Sequence, residues 1–343
     1  MKFPVFCSNC FSSSSDIIVA NQSGHGGQTA QNFHVFSSNE LKAATNGFRS
    51  SNKIGEGGFG SVYKGRLKDG TMVAVKVLSV ELESMRGERE FISEIAALSN
   101  IRHENLVTLR GCCVDGADRF LVYDYMENNS LAHSFLGGEQ NRIRFSWSRR
   151  RDISLGVARG LAYLHEEVNP HVVHRDIKAG NILLDQNFAP KVSDFGLSKL
   201  FRDNISHIST RVAGTFFGVL LLEIVSGRSV VDFDLEHGER FLVDKAWEMY
   251  NANNLLQLVD PVLKGEFLKE EAIQFLKVGL LCVQETTSLR PRMSAAVKML
   301  ANETNIEDVK ISQPGLVADL MDVKIGQGHS SYSIFSKAST SNG

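Results

Sequence analysis

The chain has 343 residues, of which 43% are apolar and 22% charged, enough for a sizeable core in one large domain or two modest ones and unlike a fibre or a fully disordered chain. Lys and Arg number 37 against 39 Asp and Glu, a formal net charge of -2, so no global field draws nucleic acid and no nucleic-acid partner is expected. The longest apolar run, Phe216 to Val225, is interrupted by Glu223 and is too short to span a bilayer, which makes it a candidate buried helix.

The opening residues lack the sustained apolar stretch of a secretory signal and the glycine needed for myristoylation. The expected location is cytoplasmic. Five cysteines, Cys7, Cys10, Cys112, Cys113 and Cys282, follow no disulfide framework and suit reduced thiols. Cys7 and Cys10 have C-x-x-C spacing, but no second pair completes a zinc site. A plain tail is preferred to acylation of these two, which is the one route to a peripheral place at the plasma membrane.

Residues 1–35 read as a disordered N-terminal tail, because Ser, Gly, Gln and Asn dominate and bury too little to offset ordering entropy. A domain is expected over 36–302, and residues 303–343 read as a polar C-terminal tail. Ser37-Ser38-Asn39-Glu40 has the form of a capping box and predicts a short helix through Leu41, Ala43 and Ala44. From Lys53 the pattern changes to β-rich runs, with Lys68-Asp69-Gly70 as a hairpin turn before the strand Met72 to Leu78. Phe91, Ile95 and Leu98 recur at helical spacing, and strands follow around Val107 to Cys112 and Phe120 to Tyr125. Beyond residue 127 the chain turns helical, with Ile153, Val157, Leu161 and Leu164 on one face of a long helix ending near His165. The fold class is therefore α+β and bilobal, a small antiparallel β lobe with one helix (36–127) and a mostly α-helical lobe (128–302).

Gly55, Gly57 and Gly60 form G-x-G-x-x-G, which lets backbone N–H groups approach phosphates. Alone the motif is weak. A dinucleotide fold needs a helix after these glycines, whereas Val62 to Leu67 looks like the returning strand of a hairpin. Alternation puts Ala74 and Lys76 on one face of the next strand, where a cation can hold ATP phosphates, and Glu94 lies 18 residues on to fix it. Singly, each of these charges is more often a solvated surface group; the ordered set reverses that.

The strongest cluster is His174-Arg175-Asp176-Ile177-Lys178-Ala179-Gly180-Asn181, followed by Asp194-Phe195-Gly196. Asp176 can accept or orient a substrate hydroxyl, and Lys178 can neutralise charge on a transferring phosphoryl. Asn181 and Asp194 supply hard oxygen ligands for magnesium bridging phosphates. A charged turn followed by a hairpin explains neither this spacing nor the earlier glycines and Lys76.

With these motifs the chain resembles the serine/threonine protein kinases of the plant receptor-like group, in a cytoplasmic form, over about Phe36 to Leu300. FSSNELKAATNGF, LVYDYMENNSL, HISTRVAGT and LCVQETTSLRPRM carry the likeness. It implies ATP and Mg, a nucleotide site of Ile54, Gly55, Gly57, Gly60, Val62, Ala74, Lys76, Tyr123, Met126 and Leu183, and a protein substrate with Ser or Thr. Within that set Tyr123 guards the back of the adenine pocket and Leu183 lies under the base. It also implies an upstream receptor kinase acting on Ser209 or Thr210, with Arg175 reading the phosphate.

The likeness breaks after Gly214-Thr215. Members of the family continue through a substrate-docking loop, an Ala-Pro-Glu triplet and a short helix before an Asp-x-Tyr-Ser-Phe-Gly helix start. Here Thr215 meets Phe216-Phe217-Gly218 directly, and no Ala-Pro-Glu triplet follows. The large lobe is expected to be damaged from residue 215. Arg290 is expected to lack its glutamate partner, and the Asp176 loop to lack the aspartate that holds it from below. Besides a working signalling kinase, two readings stay open: an ATP-binding pseudokinase serving as an interaction module, and a truncated splice or gene-model product.

Overall fold

In the computed structural model the described residues are 33–57, 60–79, 86–201, 206–234 and 238–315. The capping box forms as its sequence dictates: the Glu40 N–H donates to Ser37 Oγ, and the Ser37 N–H donates back to Glu40 Oε2 at 2.8 Å. It starts α1 (Ser38–Ala44), whose Leu41 is fully buried. Before it, β1 (His34–Val35) lies inside the stretch expected to be tail and pairs parallel with β5 (Leu109–Asp115).

Strands β2 (Lys53–Gly57), β3 (Gly60–Arg66), β4 (Met72–Ser79) and β6 (Asp118–Asp124) complete a six-stranded sheet of order β1-β5-β6-β4-β3-β2. Apart from β1, its pairings are antiparallel. The β3–β4 turn closes where Lys68-Asp69-Gly70 predicts it, with Gly70 at φ 89 and Asp69 Oδ1 accepting from the Thr71 N–H. Alternation in β4 sends Val73 and Val75 into a core with Phe36, Leu41 and Phe120, which leaves Ala74 and Lys76 on the other face. Helix α2 (Arg86–Leu98) packs on this sheet through Phe91 and Leu98.

The larger lobe is built on α3 (Trp147–Ala162), which continues as a π turn over Tyr163–Glu167. Ile153, Val157, Leu161 and Leu164 are all buried, as the one-face periodicity requires. Short pairs β7 (His171–Val173) with β10 (Lys199–Phe201), and β8 (Ile182–Leu184) with β9 (Pro190–Val192), present the loops between them to the smaller lobe.

Helix α4 (Ser206–Ser226) is the centre of the core, with Phe217, Leu220, Leu221, Leu222, Ile224 and Val225 buried. It begins ten residues upstream of the apolar run, so His207 to Thr215, expected as an activation segment, are helical. Helices α5 (Leu242–Asn251) and α6 (Lys269–Val283) pack against it, and α7 (Met293–Leu300) packs on α3 and α6. A Cβ on Gly218 would lie 2.7 Å from the Gly279 carbonyl oxygen, so glycine there lets α4 and α6 approach backbone to backbone.

Asp260 ties this core together. Its Oδ2 accepts from Arg142 Nε at 2.9 Å and Arg150 Nη2 at 2.8 Å, while Arg150 also donates to the Ile224 carbonyl at the end of α4. Residues 303–315, expected as the start of a polar tail, are packed: Ile306 and Ile311 are buried, and the Gly315 N–H donates to the Val283 carbonyl. Cys7 and Cys10 lie outside the described residues, as do the side chains of Ser209 and Thr210. Among the described residues no helix is long and apolar enough to cross a membrane.

Candidate active site

Between the two lobes lies a cleft of about 540 Å³, and every residue assigned above to nucleotide, metal or catalysis lines it. Ile54, Val62, Ala74, Met126 and Leu183 supply apolar surface from both lobes, and Lys76, Asp176, Lys178, Asn181 and Asp194 supply polar groups. At the glycine loop, Gly60 has φ +149 and a Cβ there would meet the Val77 carbonyl oxygen at 1.9 Å. Only glycine lets the loop lie this close on β4.

Lys76 Nζ donates to Glu94 Oε1 at 2.6 Å and to Asp194 Oδ1 at 3.0 Å. Burial alone would lower its pKa, but the Glu94 and Asp194 carboxylates hold it above the usual lysine value, so the ammonium is fully charged. Asp194 is governed by the same pair of effects in reverse: burial favours the neutral acid, and Lys76 overrides it and keeps the carboxylate ionised. Tyr123 adds a third partner, its hydroxyl donating to Glu94 Oε2. Burial and the adjacent carboxylate push the Tyr123 pKa well up, so this hydroxyl remains a donor.

On the opposite wall, Asp176 Oδ2 accepts from Asn181 Nδ2 at 2.9 Å and from Lys178 Nζ at 2.8 Å. The Asp176 N–H donates to His174 Nδ1 at 3.2 Å, and His174 Nε2 contacts the Ser193 carbonyl at 2.8 Å. Burial lowers the His174 pKa, so the ring is neutral, donating at Nε2 and accepting at Nδ1. Phe195 packs edge-on against that ring, 4.7 Å between centroids. The loop expected to be loosely held is thus fixed by its own residues and by the Ser193–Asp194–Phe195 segment.

Among the described residues no group of three or more His, Cys, Asp or Glu could hold a metal by itself. The donor set nonetheless suits magnesium. Asn181 commits its amide nitrogen to Asp176, which leaves the amide oxygen as a hard ligand beside the ionised Asp194. A cation that keeps several waters and takes further oxygens from phosphates needs no more from the protein.

Glu90 was invisible in the sequence reading. It lies one helical turn before Glu94, is 4% exposed, and its Oε2 has no hydrogen-bond partner among the described residues. Burial raises its pKa to about 8, so it enters the cleft as a neutral acid. Its side chain packs against Gly196. Helical spacing from Glu94 was the one available signal.

Arg290 is buried and makes no ion pair among the described residues, yet it is not unsatisfied. Its Nη1 donates to Thr215 Oγ1 at 2.7 Å and its Nη2 to the Glu285 carbonyl at 3.1 Å. Thr215, the last residue before the break in the family pattern, is itself fully buried.

A two-lobed fold with a glycine loop, a Lys–Glu pair, an aspartate–asparagine loop and the ionised Asp194 around one cleft is the arrangement of a phosphotransfer enzyme. Residues 48–219 match the family model described as protein kinase domain. Cold-responsive protein kinase 1 of Arabidopsis thaliana is 51% identical over 317 residues, covering 86% of this chain and 81% of the relative. A putative serine/threonine-protein kinase of Helianthus annuus is 67% identical over 216 residues, covering 63% and 88%. A probable LRR receptor-like serine/threonine-protein kinase of Arabidopsis thaliana is 46% identical over 299 residues, and the match covers 31% of that longer protein. The chain belongs to the protein kinase family, in its plant receptor-like serine/threonine branch. The match to the cold-responsive kinase runs over more positions, 317, than 86% of this 343-residue chain contains, so that relative has residues with no counterpart here.

Proposed function

We propose that the cleft transfers the γ-phosphoryl of ATP to a protein Ser or Thr hydroxyl with the following division of labour. Lys76, held by Glu94 and Tyr123, fixes the nucleotide phosphates. Ile54, Val62, Ala74 and Leu183 enclose the base, and Tyr123 and Met126 border it at the rear and at the interlobe connection. Asp176 orients the acceptor hydroxyl and takes its proton, and Lys178 neutralises charge on the phosphoryl in flight. Asn181 and Asp194 are the metal ligands. Magnesium, when bound, supplies positive charge across the phosphate oxygens. The observation that carries this reading is the Lys76 ammonium bridging Glu94 at 2.6 Å and Asp194 at 3.0 Å, which joins small lobe, helix and metal-facing loop at one point.

The domain is assigned to residues 36–302 together with the packed segment up to 315, and the acting compartment to the cytosol. Buried thiols at Cys112, Cys113 and Cys282 support a reducing environment. Exposed Arg175, at φ 70 beside Asp176, supports reading of a phosphate delivered by an upstream kinase at Ser209 or Thr210.

A second reading, nucleotide binding without transfer, is favoured by one observation: four residues, 202–205, separate β10 from α4. Little chain remains there to form a platform for a protein substrate. The two readings separate in a paired experiment. Thermal stabilisation by ATP with magnesium, together with phosphate transfer abolished by Asp176→Asn, supports the kinase. Stabilisation with no transfer to a generic protein or to the chain itself rejects it.

A further inference from the structure

We propose that Glu90 is a positioning residue for Asp194: its side-chain stem braces Gly196 and so holds that aspartate in the backbone conformation from which it meets Lys76. The proposal rests on the assignment of Asp194 to metal above and adds the group that keeps it in place.

Asp194 has φ 66, a left-handed conformation that a residue with a Cβ keeps only where its surroundings enforce it. Lys76 Nζ supplies one restraint, at 3.0 Å from Asp194 Oδ1. Phe195 supplies a second, fully buried and edge-on against His174. The third lies at Gly196. A Cβ built there would stand 3.0 Å from Glu90 Cγ, 3.1 Å from its Cδ and 3.4 Å from its Cβ. The contact is made by the carbons of the glutamate and not by its oxygens, so it is a steric brace.

Glycine at 196 answers to that brace. Gly60 needs its glycine for a φ of +149, but Gly196 lies outside the positive-φ region, and its own backbone conformation does not call for glycine. What it lacks is room for a methyl group. Glu90 is poorly placed to yield: it is 4% exposed on α2, which is anchored to the sheet by buried Phe91 and Leu98 and packs against β10, the strand that follows this segment.

The carboxyl head does not disturb the neighbouring ion pairs. An ionised group here would compete with Glu94 and Asp194 for the Lys76 ammonium. Burial raises the Glu90 pKa to about 8, so a neutral acid leaves Lys76 to those two. Helix α2 thus grips the segment twice from side chains one turn apart. Glu94 acts through Lys76 on Asp194, and Glu90 acts directly on Gly196.

The test titrates magnesium into the full chain at saturating ATP and reads the thermal shift, with phosphate transfer followed in parallel. Small displacements of a positioned group have large effects, so Glu90→Ala is expected to need several-fold more magnesium for half the shift, with the shift given by ATP without metal unchanged. Glu90→Gln keeps the stem and should keep the parental magnesium requirement. Gly196→Ala crowds the stem and should raise the requirement, reading the same contact from the other side even where Glu90→Ala does not fold. In the double variant the new methyl occupies the space the stem has left, and the requirement should return toward the parent's. A parental magnesium requirement in either single alanine variant overturns the proposal, as does a double variant no better than the worse single one. Equal loss of the metal-free and magnesium-dependent shifts in Glu90→Ala marks a merely structural role and overturns it too. A parent whose ATP shift is indifferent to magnesium overturns the metal assignment itself, and this proposal with it.

Discussion

The Tyr123 hydroxyl donates to one carboxylate oxygen of Glu94 while Lys76 takes the other. Glu94 is thereby held from two adjacent strands, β4 and β6, and its side chain is only 1% exposed. Tyr123→Phe removes the tyrosine's donor and leaves the ring in place. A hydrogen bond to a charged group contributes about 1.5–3 kcal/mol, so the variant is expected to unfold at lower denaturant concentration. Phosphate transfer should weaken as well, because Lys76 is positioned through the same carboxylate. Urea unfolding and ATP-dependent kinetics on one preparation check both effects.

Glu90 should leave a signature in pH. Its folded-state pKa, raised by burial to about 8, exceeds the ordinary value of 4.5. The folded chain keeps a proton that the unfolded chain has released. The stability this carboxyl contributes is full below about pH 4.5 and is lost as pH rises through 8. Glu90→Gln has no such proton to lose. It is expected to match the parent near pH 5 and to be the more stable of the two at pH 8, in urea titrations at matched ionic strength.

Asp260 neutralises Arg150, and both side chains are 1% exposed. Asp260→Asn leaves that guanidinium without a counter-charge in the core, and loss of one member of a buried pair costs about 3–5 kcal/mol. The variant is expected to lose stability on this scale. Thermal unfolding monitored by circular dichroism measures it. Replacing Arg142, whose side chain is 20% exposed, should cost less.

Thr215→Val keeps the volume and removes the acceptor for Arg290 Nη1. An unsatisfied buried donor costs about 1–3 kcal/mol. Thr215→Ser keeps the acceptor and should stay close to the parent. A difference between the two substitutions in denaturant midpoint isolates the hydroxyl from the packing.

The parts of this molecule that were legible in the sequence are those whose chemistry sits in short local patterns. The capping box at Ser37 and Glu40, the Lys68-Asp69-Gly70 turn and the one-face helix around Val157 each declare themselves within a few residues. Lys76 and Glu94 could be paired because a strand and the following helix bring an 18-residue separation to one point. Asp260 could not be read, because its two arginines lie 118 and 110 residues away. Nor could β1, two residues long and stabilised by the edge of β5 rather than by its own propensity. The start of α4 was missed for a different reason. His207 to Thr215 resembled a loop by family pattern, and helical continuity with the apolar run that follows outweighed that resemblance.

The uninterrupted course of α4 has a mechanical consequence. A segment joined to the rest by a flexible link can open and close while the interior stays packed, and its fluctuations cost little. Here the stretch leaving the cleft is the first turns of the rod around which the large lobe is assembled. Residues 214–226 should therefore exchange amide hydrogens only on opening of the whole lobe, as one cooperative unit. Any signal that reorients that stretch must work against the stability of the entire core.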